Sequence, residues 1–374
     1  MNHIKKSSGQ SKNQSKNQSK NQSKNQSKNQ SKNQSKNQSK NQSKNQSKNQ
    51  SNNANVKNSS DYLNKSIDDY SINRNTSLNQ ILVNMAHSGG FEGRHLASGI
   101  GILKKMMSEK NCTRFLSFVG ALVSTGNRGI IRDMIKNKMF DCVITTCGAL
   151  DHDIAKSFSS YYEGDFRLDD QFLLKKDIHR LGNILIPNEN YGPLIEAKVQ
   201  PILQELYDNA KSKTRSLELA PSEILRYIGS RLNESSFLYW AAKNDIPVMV
   251  PGIVDGAVGN QMWLFNQSHK EFRIDILKDQ TILSELIFDA KMTGAFMMGG
   301  GLSKHHTLWW NQYRGGLDYA VYITTASEWD GSLSGAPVAE AISWGKVTTQ
   351  AKQVTIHADV STVLPFIYYS LLSK

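Results

Sequence analysis

Six short apolar runs punctuate this chain, at residues 115–119, 142–146, 247–251, 294–298, 319–323 and 354–358. Each ends in a small or turn-forming residue, and helical spacing of apolar residues lies between most of them. Near-continuous apolar strands that alternate with helices cannot leave one face in water. They imply a parallel sheet covered on both faces, an α/β fold. In such sheets ligands sit beyond the carboxyl ends of the strands. The residues that follow each run are therefore the site candidates: Ser124-Thr125, Thr146-Cys147-Gly148, Asp255, Gly300, Thr325-Ala326 and Asp359. Helices are expected at 78–85 behind an N-cap at Ser77, and at 92–109, 128–137, 151–158, 195–212, 221–232 and 280–291.

The first part of the chain obeys different rules. Residues 11–50 are the tetrapeptide Ser-Lys-Asn-Gln repeated ten times. Such a tract has no apolar surface to bury against the cost of ordering, so residues 1–60 are expected to be a disordered cationic tail before a folded region at 61–374. Residues 1–57 hold thirteen lysines and no arginine or acidic residue, against a net charge of +12 for the chain, so the rest sums to −1. The basic character belongs to the tail. The folded part has no basic excess that would argue for specific nucleic-acid binding. Three cysteines without a C-x-x-C pair argue for a reducing, cytoplasmic setting and no zinc site. No apolar run reaches the roughly 18 residues of a membrane helix.

Two chemical segments follow the fourth and fifth runs. In 299–306, GGGLSKHH, the adjacent His305 and His306 point about 100° apart on a helix and cannot chelate one metal together. One of them, at a strand end, suits an acid/base or hydrogen-bonding role. In 340–346, EAISWGK, Pro337 opens a helix on which Glu340 and Trp344 share a face. Gly345 can end that helix in a left-handed cap, leaving Lys346 free to turn away. A lysine beside an indole and partly removed from water can act as a neutral amine toward carbonyl and imine carbon. Asp330-Gly331 opens a loop whose carboxylate suits either a substrate cation or a turn. Asp151-His152-Asp153 reads as a solvated helix start. There is no G-x-G-x-x-G and no P-loop, yet the small-residue turns at the strand ends together point to a dinucleotide site. Asp255 or Asp359 would then accept from ribose hydroxyls or, alternatively, cap a helix.

The pairing of GGGLSKHH with EAISWGK, together with LIPNENY at 185–191 and DYAVYITTA at 318–326, resembles the deoxyhypusine synthase family over roughly residues 75–374. The resemblance implies a Rossmann-like parallel sheet with helices on both faces, NAD as cofactor, and a homotetramer with sites at subunit interfaces. It implies transfer of the aminobutyl group of spermidine to a lysine of translation initiation factor 5A. By position, Lys346 would carry the enzyme–imine intermediate and His305 would lie near the amine being oxidised. Trp344 would stack over the polyamine, with Glu340, Asp330, Asn260 and Ser334 as further substrate positions. NAD would be held by Ser124, Thr146, Asp255, Gly300, Thr325, Ala326 and Asp359. Six positions depart from the family pattern: Gly120-Ala121 replaces Ser-Asn, Asp151-His152 replaces a Glu pair, and Asn260 and Leu333 replace aspartates. The lost carboxylates leave open a homospermidine-synthase-like transfer to a small amine, or a non-catalytic NAD-binding relative.

Overall fold

The computed structural model describes residues 63, 66–88, 90–211 and 217–372. The Ser-Lys-Asn-Gln tract lies outside the described residues. A first unit spans Met1–Ser66, of which Leu63 and Ser66 are described, and the architecture below belongs to the second, Ile67–Lys374. The described strands are, in chain order, β1 (Cys112–Phe118), β2 (Cys142–Ile144), β3 (Tyr162–Glu163), β4 (Ile178–Leu181), β5 (Ile184–Pro187), β6 (Leu217–Leu219), β7 (Val248–Met249), β8 (Phe272–Ile274), β9 (Met292–Met298), β10 (Leu317–Thr324) and β11 (Val347–His357).

Six of them form the expected parallel sheet, in the order β11-β10-β9-β1-β2-β7. Its two faces are separate cores. Leu116 and Phe118 of β1, Phe296 and Met298 of β9, and Val321 and Ile323 of β10 pack on one side. Phe115, Ala295, Met297, Ala320 and Tyr322, one residue out of step, pack on the other. This two-residue alternation between two buried faces is why the strands read as unbroken apolar runs. The chain builds outward from β1 through β2 to β7, then returns to β9 and builds the other way. Strand order therefore reverses between β1 and β9, and a crevice must open beyond their carboxyl ends.

The helices begin where local chemistry permits. Ser77 caps Leu78–His87, its Oγ accepting from the Gln80 amide at 3.2 Å. Phe91–Ser108 packs on β10 and β11, with Leu103 and Met106 fully buried. The region 159–220, which has no clear period in the sequence, holds an antiparallel sheet, β3-β5-β4, and contributes β6 to a parallel pair with β8. These strands are two to four residues long, too short for a periodic signal. Among the described residues no helix is long and apolar enough to cross a membrane.

Asp151, His152 and Asp153 correct the sequence reading. They are not a solvated helix start: the helix begins earlier, as Cys147–Phe158, and the three are 1%, 8% and 0% exposed. Asp151 accepts from the Tyr191 hydroxyl at 3.0 Å and from the amides of Ala257 and Val258 at 2.9 and 2.8 Å. It thereby caps the helix Ala257–Ser268, whose own N-cap is Gly256. Asp153 pairs with Arg128 Nε at 2.7 Å and accepts from the Ser236 hydroxyl and the Phe237 and Leu238 amides. His152 accepts or donates at Tyr161 Oη, 3.0 Å away.

Candidate active site

A cavity of about 490 Å³ opens at the strand-order reversal. Val119 and Ala121 after β1, Gly299 and Gly300 after β9, Thr324 at the end of β10 with Thr325 and Ala326 after it, and Asp359 after β11 line it. Phe166 and the β4–β5 turn at Gly182-Asn183 reach over from the antiparallel sheet. Its size falls in the range usual for ligand pockets, roughly 300–1,000 Å³. Of the residues singled out for a dinucleotide, Ser124, Gly300, Thr325, Ala326 and Asp359 meet here. Thr146 and Asp255 are not among its lining residues. Thr146 is the N-cap residue of Cys147–Phe158, and Asp255 is exposed on the turn after β7. Asp255 does not cap the helix that follows it either, since Asp151 does. Asp359 accepts from the Ser361 amide at 2.6 Å, the N-terminal turn of Val360–Leu372.

The departures at 120 and 152 have local causes. A Cβ on Gly120 would lie 2.9 Å from the Ala149 nitrogen and from the Gly148 carbonyl carbon. Only glycine lets the helix Gly120–Ser124 sit this close to Cys147–Phe158. His152 is enclosed by the rings of Tyr161 and Tyr191, at 5.7 and 5.5 Å between centroids. Burial, and secondarily the charge of Lys156, bring its pKa down to about 4.

The second segment lies beside the cavity. Gly300 lines it, and the helix Gly301–Asn311 starts immediately afterwards. His305 is therefore only about 7 Å farther along the helix axis. Its ring stacks on Trp309 at 5.9 Å. Lys346 Nζ lies 5.5 Å from the Trp309 ring and 5.1 Å from the Trp344 ring. Two indoles thus flank the amine on its way to His305. Partial burial, with the charges of Lys346 and Lys304, lowers the His305 pKa. His306, more deeply set, falls to about 4 through burial and its neighbour His305.

Lys346 owes its position to backbone constraints on both sides. The α-helical part before it is short, Glu340–Ser343, but helical turns begin at Pro337 as the sequence suggests: the Pro337, Val338 and Ala339 carbonyls accept from the amides of Glu340, Ala341 and Ile342, and the Val338 amide, which has no partner in these turns, donates to Thr355 Oγ1 at 2.9 Å. Gly345 is left-handed at φ 67°, as expected of the cap. The Lys346 amide then donates to the Ala341 carbonyl, and its carbonyl accepts from Leu317, the first residue of β10.

Sequence reasoning passed over two residues. Lys304, 3% exposed, donates to the Leu333 and Ala336 carbonyls at 2.7 and 2.5 Å and lies 4.0 Å from the Tyr322 ring. Tyr322 Oη and Thr324 Oγ1 donate to the Ser334 carbonyl at 2.6 and 3.0 Å. Together they hold the loop that separates the cavity, through Ser334, from the Lys346 segment. Burial lowers the Lys304 pKa to about 8, while nearby Glu340 acts to raise it. Trp309 was discoverable: it stands four residues after His305, the spacing that puts two side chains on one helix face.

The other substrate candidates do not gather within one chain. Asn260 and Glu340 are exposed. Asp330 is exposed and accepts from the Ser332 amide at 2.7 Å, with Gly331 left-handed beside it, so its carboxylate performs turn chemistry. Those bonds hold it below the usual carboxylate range. Among the described residues, no group of three or more His, Cys, Asp or Glu could hold a metal ion.

Comparison with known proteins fits this geometry. The sequence profile of deoxyhypusine synthase matches residues 80–371. A "Probable deoxyhypusine synthase" of Thermoplasma volcanium is 50% identical over 306 residues, 82% of this chain and 96% of the relative. One from Ignicoccus hospitalis is 41% identical over 323 residues, 85% and 98%. The crystal structure of a chain described as a deoxyhypusine synthase from Entamoeba histolytica superposes with a TM-score of 0.55 at 21% identity, over 81% of this chain and 96% of that one. The profile match spans the cavity and the Lys346 segment, and with these identities it shows that this chain belongs to the deoxyhypusine synthase family of aminobutyl-transferring enzymes.

Proposed function

We propose that this protein is an NAD-dependent transferase that moves the aminobutyl group of spermidine to one lysine of translation initiation factor 5A. The observation that carries the reading is Lys346, an amine between two indoles and near His305, whose helix starts at the rim of a cavity at the strand-order reversal. The cavity suits a dinucleotide. It is large enough, two glycines let backbone approach closely, and Asp359 offers a carboxylate at its rim. When bound, NAD supplies the acceptor for the hydride that leaves the polyamine and returns it to the final imine.

The chain's own residues do the rest. Trp344 and Trp309 offer π faces to the cationic polyamine and to Lys346. His305, uncharged at neutral pH, can accept the proton that the amine must lose before its carbon is oxidised. The Lys346 amine attacks the substrate imine carbon, the remaining diamine leaves with a proton, and the aminobutyl group stays on Lys346 as an imine. The acceptor lysine repeats the exchange and frees Lys346. Asp255 and Asn260, exposed and away from the cavity, are suited to complete the site of a second copy in a homotetramer. Leu333 and Asn260 offer no carboxylate to a substrate ammonium, and this favours, as a second reading, a smaller amine as acceptor.

Intact mass spectrometry of the cognate factor after incubation with the protein, NAD and spermidine tests the proposal. One aminobutyl addition is expected, absent with Lys346→Arg although that variant still binds NAD. No addition, with NADH formed when putrescine is supplied, would support the second reading instead.

A further inference from the structure

We infer that Lys156 is a positioning residue for the dinucleotide, fixing the turn that presents Ser124 and Thr125 to the cavity; this rests on the reading of that cavity as the NAD site. Gly120–Ser124 is a single helical turn directly after β1. Its last carbonyls have no partner within the helix. Lys156, on the helix Cys147–Phe158, supplies one. Its Nζ lies 2.7 Å from the Ser124 carbonyl, 2.8 Å from that of Thr125 and 3.5 Å from that of Val123. An ammonium carries three protons, which suits three convergent carbonyls, whereas the planar fork of arginine does not. The bonded residues Ser124 and Thr125 line the cavity themselves. Their hydroxyls turn back onto the same short helix, donating to the Ala121 and Leu122 carbonyls at 2.7 Å each. The turn is thus pinned from inside by hydroxyls and from behind by one positive charge. That charge also sits directly behind a wall expected to face an anionic pyrophosphate.

The surroundings make the charge labile. Lys156 faces Arg128, which is paired with Asp153, together with His152 on its own helix and the Tyr161 ring 5.5 Å away. Burial first, then Arg128, against the opposing pull of Asp153, bring its pKa down to about 8. Above that pH the amine has two protons for three carbonyls and no charge. Affinity for NAD should therefore fall as pH rises through about 8. Arginine keeps its charge throughout and should remove the share of this dependence that Lys156 carries.

The test is isothermal titration of the full chain with NAD at pH 7 and pH 9.5, for the unmutated protein, Lys156→Arg and Lys156→Met. The unmutated protein is expected to weaken several-fold at the higher pH and Lys156→Arg to weaken clearly less, its remaining dependence coming from Lys304, which lies behind Ser334 with a pKa also about 8. Lys156→Met should bind about tenfold more weakly at pH 7, in keeping with loss of charge-assisted hydrogen bonds. Its kinetic defect should fall on KM for NAD more than on kcat. Equal pH dependence in the unmutated protein and Lys156→Arg, or unweakened binding by Lys156→Met, overturns the inference. If Lys156→Met does not fold, the arginine comparison decides alone. Failure of the unmutated protein to bind NAD at pH 7 would instead overturn the cofactor reading.

Discussion

Gly300→Ala tests whether the cavity wall and the Lys346 segment are one mechanical unit. Gly300 has φ −104°, so backbone strain is not at issue. Contact is: a Cβ would lie 2.5 Å from Ser334 Cβ and closer still to its Cα and Oγ. Reaching ordinary contact requires Ser334 to move by roughly 1 Å. Its carbonyl holds two hydroxyl bonds, and the Leu333 and Ala336 carbonyls on either side hold the Lys304 ammonium. Neutral bonds contribute about 1 kcal/mol net and charged ones about 2 kcal/mol, so the four together stabilise the loop by about 6 kcal/mol. If relaxation preserves half of this, the substitution costs about 3 kcal/mol, near the upper end for overpacking. At about 2–4 °C per kcal/mol for a domain of this class, Tm should fall by roughly 6–12 °C. NAD binding should weaken as Ser334 shifts in the cavity. Gly129→Ala is the control: no atom lies within 4 Å of its Cβ position in the helix Arg128–Lys136, so stability should hold or rise by up to ~1 kcal/mol. Differential scanning calorimetry reads both. A Gly300→Ala protein that melts within about 1 °C of the parent and binds NAD equally well would refute the coupling.

Asp153→Ala should cost about 3–5 kcal/mol in urea unfolding, because it strands buried Arg128 and two amides; less than about 1 kcal/mol would mean water takes over the arginine. His152 titrates near 6.5 when unfolded and at about 4 when folded, so the unfolded chain binds the extra proton between these values. Its contribution is complete above pH 6.5 and is lost as pH falls toward 4, by up to about 3 kcal/mol. His152→Gln should flatten the acid limb of a stability–pH curve, and an unchanged limb would exclude His152 as its source. Trp309→Ala removes the ring shared by His305 and Lys346 and should lower kcat/KM for the polyamine about tenfold, read by NADH formation; equal kinetics would sever the ring from the site.

The parallel sheet and the crevice at Gly300, Thr325 and Asp359 were legible because both depend on pattern. Apolar runs mark strands buried on two faces, and parallel order puts every carboxyl end at one edge. What was not legible depends on side chains meeting across the fold. Asp151 reads as a polar helix start until the amides of Ala257 and Val258, more than a hundred residues away, arrive to be capped by it. Lys304 reads as a charged neighbour of two histidines, yet it is a buried clamp because the carbonyls of 333 and 336 converge on it. The turns that open at Pro337 were legible, but not their outside anchor, the Thr355 hydroxyl that takes the Val338 amide from seventeen residues away.

Lys346 is held at the shoulder and free at the hand. Its amide and carbonyl are both engaged, one by the preceding turn and one by the start of β10, while four methylenes carry the amine past two indoles. In the role proposed for Lys346, such an arm can hand a group from donor to acceptor by bond rotation alone, with no backbone rearrangement between the two exchanges. The pace of transfer is then set by how substrates arrive and leave. A longer donor should be tolerated as far as the arm can sweep and rejected sharply beyond it. On that proposal the reach of one side chain, fixed by where a strand begins, is a ruler for the molecules accepted.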